Sequence, residues 1–138
     1  MNAALFMKLY LIAIPVFLVI DIIWLAFVAK GFYGKHLGHL MAESVRWPAA
    51  AVFYLLYIAG LVLFSVMPAL ERQSLARALL LGGALGLIAY STYDLTNYAT
   101  IRDWPLVVVV VDLAWGTALS AAVSAISFFI ASRWLQTV

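Results

Sequence analysis

Four long apolar runs, separated by short polar stretches, restrict what this chain can fold into more than any other feature: about 9–29, 48–67, 78–100 and 105–130. A hydrocarbon core roughly 30 Å thick is crossed by about 20 helical residues, so each run is long enough to span. Inside lipid the backbone must satisfy its own hydrogen bonds, which leaves helices or a closed barrel. The runs are too long for barrel strands and lack their alternation. The sequence therefore predicts an all-α integral membrane protein: one domain over residues 1–138, a four-transmembrane-helix bundle with a short interfacial amphipathic segment between helices one and two.

The boundaries follow from charges and prolines. Helix one lies between Lys8 and Lys30; its length, Asp21 and the lack of a small-x-small cleavage site read as an uncleaved span, not a signal peptide. Pro48 suits a first helical turn and Pro68 a helix stop. Between Lys30 and Trp47 the residues Lys35, His36, His39, Glu43 and Arg46 lie among Leu37, Leu40 and Met41. That mixture predicts a short amphipathic helix lying on the membrane surface.

Composition closes off other classes. With 67% hydrophobic and 10% charged residues and a mean hydropathy of +1.10, no extensive water-facing surface can be built. The net charge of +2 rests on eight Lys and Arg placed singly at the ends of the runs, which is flank chemistry and not a nucleic-acid surface. Without cysteine there is no disulfide or thiolate site. Helices that alternate direction put Lys8, Arg72, Arg77 and Arg133 on the face of the N-terminus, called here the N-face, and Lys30, Lys35, Arg46 and Arg102 on the other. The positive-inside rule is balanced by this count, with a slight lean towards N-in from the terminal amine.

Asp21, Asp94 and Asp112 each fall inside an apolar run with no Lys or Arg in the same span. A carboxylate near mid-membrane costs roughly 2.5–3.5 kcal/mol on insertion scales, so three demand compensation. At about 1.5 Å per residue, each lies roughly 12–13 Å from the charged end of its run opposite the N-face. Three helices with a carboxyl at one depth imply a shared polar pocket. Tyr90, Tyr93, Asp94 and Asn97 fall on one face of helix three at i, i+3, i+4 and i+7. Helices one and four each carry Asp-x-x-Trp, as Asp21 with Trp24 and Asp112 with Trp115, and Tyr54 and Tyr57 lie in the same half of the bilayer. Phenol and indole groups donate hydrogen bonds to carboxylates and make their burial tolerable. The same residues equally serve as interhelical hydrogen-bond partners, core packing or aromatic belts, and Trp47 and Trp104, each before a proline, read as interface anchors.

His36, His39 and Glu43 at i, i+3 and i+7 are a weak metal candidate, set against the simpler reading of a solvated helix face. No cofactor is specified by the sequence. Gly82 and Gly86 on helix three, with Gly116, Ser120 and Ser124 on helix four, form small faces suited to close packing within one chain or across a homodimer.

Asp-x-x-Trp in helix one, Tyr-Asp-Leu-Thr-Asn at Tyr93 to Asn97, Trp-Pro at Trp104 and Asp-x-x-Trp-Gly at Asp112 to Gly116 occur in that order. Together they resemble the bacterial membrane proteins grouped as domain of unknown function 2177, over nearly the whole chain. The resemblance implies a multi-pass protein of the bacterial cytoplasmic (inner) membrane in contact with membrane lipids, and carries no activity with it. Three functional readings stand at this point: a small-solute or ion carrier using a protonatable Asp, a membrane-embedded enzyme or lipid- or isoprenoid-binding protein, and a scaffold for a membrane complex. The first two require an unidentified small molecule, ion or lipid as partner.

Overall fold

A computed structural model describes residues 2–135. It contains four helices long and apolar enough to cross a membrane: α1 Ala3–Leu40, α2 Trp47–Glu71, α3 Leu75–Thr100 and α4 Leu106–Trp134. No strand occurs among the described residues. Local chemistry sets the ends. The Asn2 side chain caps α1, accepting from the Ala4 N–H at 3.0 Å, and the Ser74 hydroxyl caps α3 by accepting from the Arg77 N–H at 3.2 Å. Pro48 occupies the first turn of α2, and Pro105 immediately precedes α4. Gln73 and Asp103, in the two tight connections, adopt positive φ of 47° and 60°.

Two elements depart from the sequence expectation. The segment after Lys30 is helical, but it is not a separate surface helix: it continues α1 without a break to a 3-10 turn at Gly38–Leu40. At 38 residues α1 runs to about 57 Å, far more than the hydrocarbon thickness. Its end is held because Phe32, Tyr33 and Leu37 pack on Trp104, Val108, Val109 and Leu113 at the start of α4. The second departure is at Pro68, which does not end α2. A π-helical turn at Val62–Val66 comes directly before it, and the helix runs on to Glu71. The π turn has already shifted the hydrogen-bond register, so the missing proline N–H interrupts nothing.

A matching π turn lies in α1 at Leu25–Ala29. It inserts one extra residue into the helical repeat. Twelve regular α-helical steps from Asp21 would leave Tyr33 about 120° around the helix; with the inserted residue discounted, the two differ by only about 20°. The turn therefore brings Tyr33 onto the Asp21 face and towards α4.

The helices α3 and α4 form the most intimate pair. A Cβ on Gly82 would collide with Ser124 and the Ser120 backbone, one on Gly86 with Gly116 and Ser120, and one on Gly116 with the Tyr90 ring. These small faces thus meet within one chain. The apolar core, Leu9, Ala13, Phe17, Ile58, Leu61, Val62, Val66, Leu119 and Val123, joins α1, α2 and α4. By contrast, α2 meets α3 chiefly through Val62–Val66, and its earlier part, Trp47–Leu61, stands off. The resulting gap widens away from the N-face.

Candidate functional site

Into that gap the four helices direct the polar and aromatic residues of the spans. A cleft of about 600 Å³ is lined by Asp21, Trp24 and Tyr33 of α1, Phe53 and Tyr54 of α2, Tyr90 and Tyr93 of α3, and Asp112 and Trp115 of α4. Lys30 and Met41 stand at its rim. A smaller recess of about 320 Å³ shares Phe53, Tyr90, Tyr93 and Asp112. Phe53 and Tyr93, on the side where α2 leaves α3, are 48% and 54% exposed, so this edge of the cleft faces lipid in a membrane.

Each carboxyl has a different setting. Asp21 accepts a hydrogen bond from the Tyr54 hydroxyl at 2.7 Å and faces the Trp115 indole. Asp112 accepts from the Tyr33 hydroxyl. Asp94 is fully buried, and neither of its oxygens meets a hydrogen-bond donor, although its carboxyl lies beside that of Asp112 and near the Trp104 indole. The Trp104 Nε1 is likewise unpartnered. Among the described residues, the groups that meet these carboxyls are phenols, indoles and another carboxyl, not cations. In a low-dielectric interior such charge must be balanced by a proton or by a bound cation.

Aromatic rings fix the walls. The two Asp-x-x-Trp motifs meet across the bundle, with Trp24 and Trp115 stacked at 4.2 Å and 8° between planes. Phe17 sets the edge of Tyr54 at 5.6 Å, Tyr57 contacts Tyr90 at 6.3 Å, and Tyr93 meets Trp104 at 5.7 Å. Beneath the cleft, the Tyr57 hydroxyl and Ser120 Oγ share a hydrogen bond of 2.6 Å, and the buried Ser124 and Ser127 hydroxyls have no partner.

Of the residues singled out from the sequence, Asp21, Trp24, Tyr54, Tyr90, Tyr93, Asp112 and Trp115 come together on the lining. Asp94 lies behind Asp112, and Asn97 is not on the lining. Sequence reasoning missed Tyr33, Phe53, Lys30 and Met41. Tyr33 carries no sequence signal, because the π turn that aims it has no sequence signature and the apolar run stops at Ala29, short of the helical extension that carries it. That same extension buries Trp104, expected at the interface, while Trp47 remains 70% exposed as an interface anchor would. His36, His39 and Glu43 do not share one helix face, because the helix stops at Leu40, before Glu43. Among the described residues no three such side chains gather as a metal site.

Fold and site together define a polytopic α-helical membrane protein with a polar, aromatic-walled cleft inside its spans. The chain belongs to the family described as "Predicted membrane protein (DUF2177)", whose model matches residues 6–129. No curated protein and no solved structure matches it.

Proposed function

We propose that this protein is a small-solute or ion carrier of the bacterial cytoplasmic membrane, in which the Asp94–Asp112 pair holds a proton that substrate binding displaces. The observation that supports this most is Asp94: a fully buried carboxyl with both oxygens unpartnered, beside a second carboxyl that borders a cleft. A side chain kept only for packing would be better replaced by an apolar one, and ionisable groups in spans mark ion and substrate paths by default. A carboxyl pair at close range shares charge as a unit, and either a proton or a cation satisfies it. In this reading the working carrier is a homodimer, with the edge between α2 and α3 left open to lipid.

The lipid-facing edge at Phe53 and Tyr93 favours a second reading, in which the cleft receives a lipid or isoprenoid head group and a carboxyl acts as acid, base or metal ligand. A pure scaffold role has no use for the cleft.

Reconstitution separates the three. In proteoliposomes the carrier moves protons with substrate, and Asp94→Asn and Asp112→Asn lose that coupling. Native mass spectrometry of wild type and Asp94→Asn detects a co-purifying lipid if the second reading holds. Unchanged behaviour of all three Asp→Asn variants, beyond a change in stability, would leave only the scaffold.

A further inference from the structure

The geometry points to a lipophilic organic ammonium ion as the occupant of the cleft, its charged nitrogen held between Asp21 and Asp112 against the Trp24, Trp115 and tyrosine rings. Transport of that ion rests on the carrier reading; its binding does not.

Four observations lead to it. First, among the described residues the three carboxyls meet phenols, indoles and one another but no cation, so once the shared proton leaves the site offers negative charge to a bound cation, with the fully buried Asp94 behind Asp112. Second, much of the remaining wall is aromatic, from Trp24, Trp115, Phe53, Tyr90 and Tyr93. Cations are drawn to Trp and Tyr faces within about 6 Å, and quaternary ammonium groups are bound by aromatic cages in this way.

Third, the carboxyl oxygens already accept from the Tyr33 and Tyr54 hydroxyls. A bare metal ion would have to break those bonds or gather several free oxygens. No group of three metal-ligating side chains is gathered among the described residues. A quaternary ammonium, which has no N–H, needs charge and contact more than acceptor lone pairs, so the existing bonds can stay. Fourth, the volume of about 600 Å³ suits a small organic molecule, and the half-exposed Phe53 and Tyr93 give an apolar tail a way out towards the bilayer.

Lys30, exposed at the rim, separates two sources of this ligand chemistry. A free lipophilic cation gains nothing from a second positive charge, and the flexible lysine stem lets the ammonium turn to water. A lipid with a choline head group would instead place its phosphate near Lys30 and its ammonium between the aspartates.

The test is titration calorimetry on the full-length protein in mild detergent with hexyltrimethylammonium, against uncharged nonanol of similar size. The cation should bind at least about tenfold more tightly than the alcohol, and Asp21→Asn or Asp112→Asn should each weaken it by about tenfold. Trp115→Phe keeps a ring but loses the indole N–H and should bind with a smaller loss, which guards against variants that fail to fold. In nanodiscs containing choline lipid, retention of that lipid by wild type and its loss in Lys30→Gln assigns the lipid source. Unchanged or tighter hexyltrimethylammonium binding in Lys30→Gln, with no retained lipid, assigns the free cation. Equal affinity for cation and alcohol, or aspartate variants that bind like wild type, would overturn the inference. Binding without proton-coupled flux upholds it and contradicts the carrier reading; flux with no cation binding does the reverse.

Discussion

Towards the N-face, α3 and α4 meet through Gly82, Gly86, Ser120 and Ser124 with no space for a methyl group, whereas towards the opposite face α2 stands off α3 and leaves a cleft of about 600 Å³. Both halves bury polar atoms in the spans. The closed half buries hydroxyls on small residues at close backbone approach, which suits association in lipid, where packing replaces the hydrophobic effect between helices. The open half buries carboxyls and keeps them from contact with cationic side chains. Close backbone packing is concentrated in one half and buried carboxyls in the other.

Substitutions can break this contrast, and the largest effect belongs to the closed half. Gly86→Val should place branched carbons into the Gly116 carbonyl and Ser120 and destabilise the bundle by about 3 kcal/mol or more, read by equilibrium unfolding in mixed micelles. Asp94→Asn, in the open half, should run the other way: it removes an uncompensated carboxyl, raises stability by about 1–2 kcal/mol in the same assay, and abolishes proton-coupled transport. A loss of stability would mean that Asp94 is a structural partner and not a strained functional group.

Tyr54→Phe deletes one donor to Asp21 and should cost about 1 kcal/mol. The smallest effect sharpens the map of the closed half. Gly83 neighbours Gly82, yet a Cβ there would sit at an ordinary 3.7 Å from Ala121 and Thr117. Gly83→Ala should therefore be neutral or stabilising by about 0.5–1 kcal/mol, because only the backbone entropy changes. A large penalty at Gly83 would contradict the α3–α4 register.

Much of this was legible in the sequence, and the reason is the solvent. Lipid imposes a length on every span and a cost on every charge, so four helices and three conspicuous aspartates could be read from residue types alone. Spacing then gave the Tyr90, Tyr93 and Asp94 face and the two Asp-x-x-Trp motifs. Spacing fails where helical periodicity fails. The π turn at Leu25–Ala29 rotates everything after it, so Tyr33 reached Asp112 from a segment expected to lie apart on the membrane surface. Phe53 entered the lining because α2 diverges from α3, a tertiary feature without a local signal. Asn97 shares the periodic face of Tyr90 and Asp94 but lies one turn beyond the lining. The glycine faces were visible as motifs, although whether they meet within a chain depends on register, which the spacing did not decide.

In the proposed carrier the carboxyls of the open half hold a charge exchangeable between a proton and a cation, and everything else in its cycle depends on that exchange. It is tested most directly by measuring proton release from the purified, weakly buffered protein when hexyltrimethylammonium is added, in wild type and Asp94→Asn. Release approaching one proton per bound cation in wild type, and none in the variant, is the result predicted. Cation binding to wild type with no proton released would contradict it.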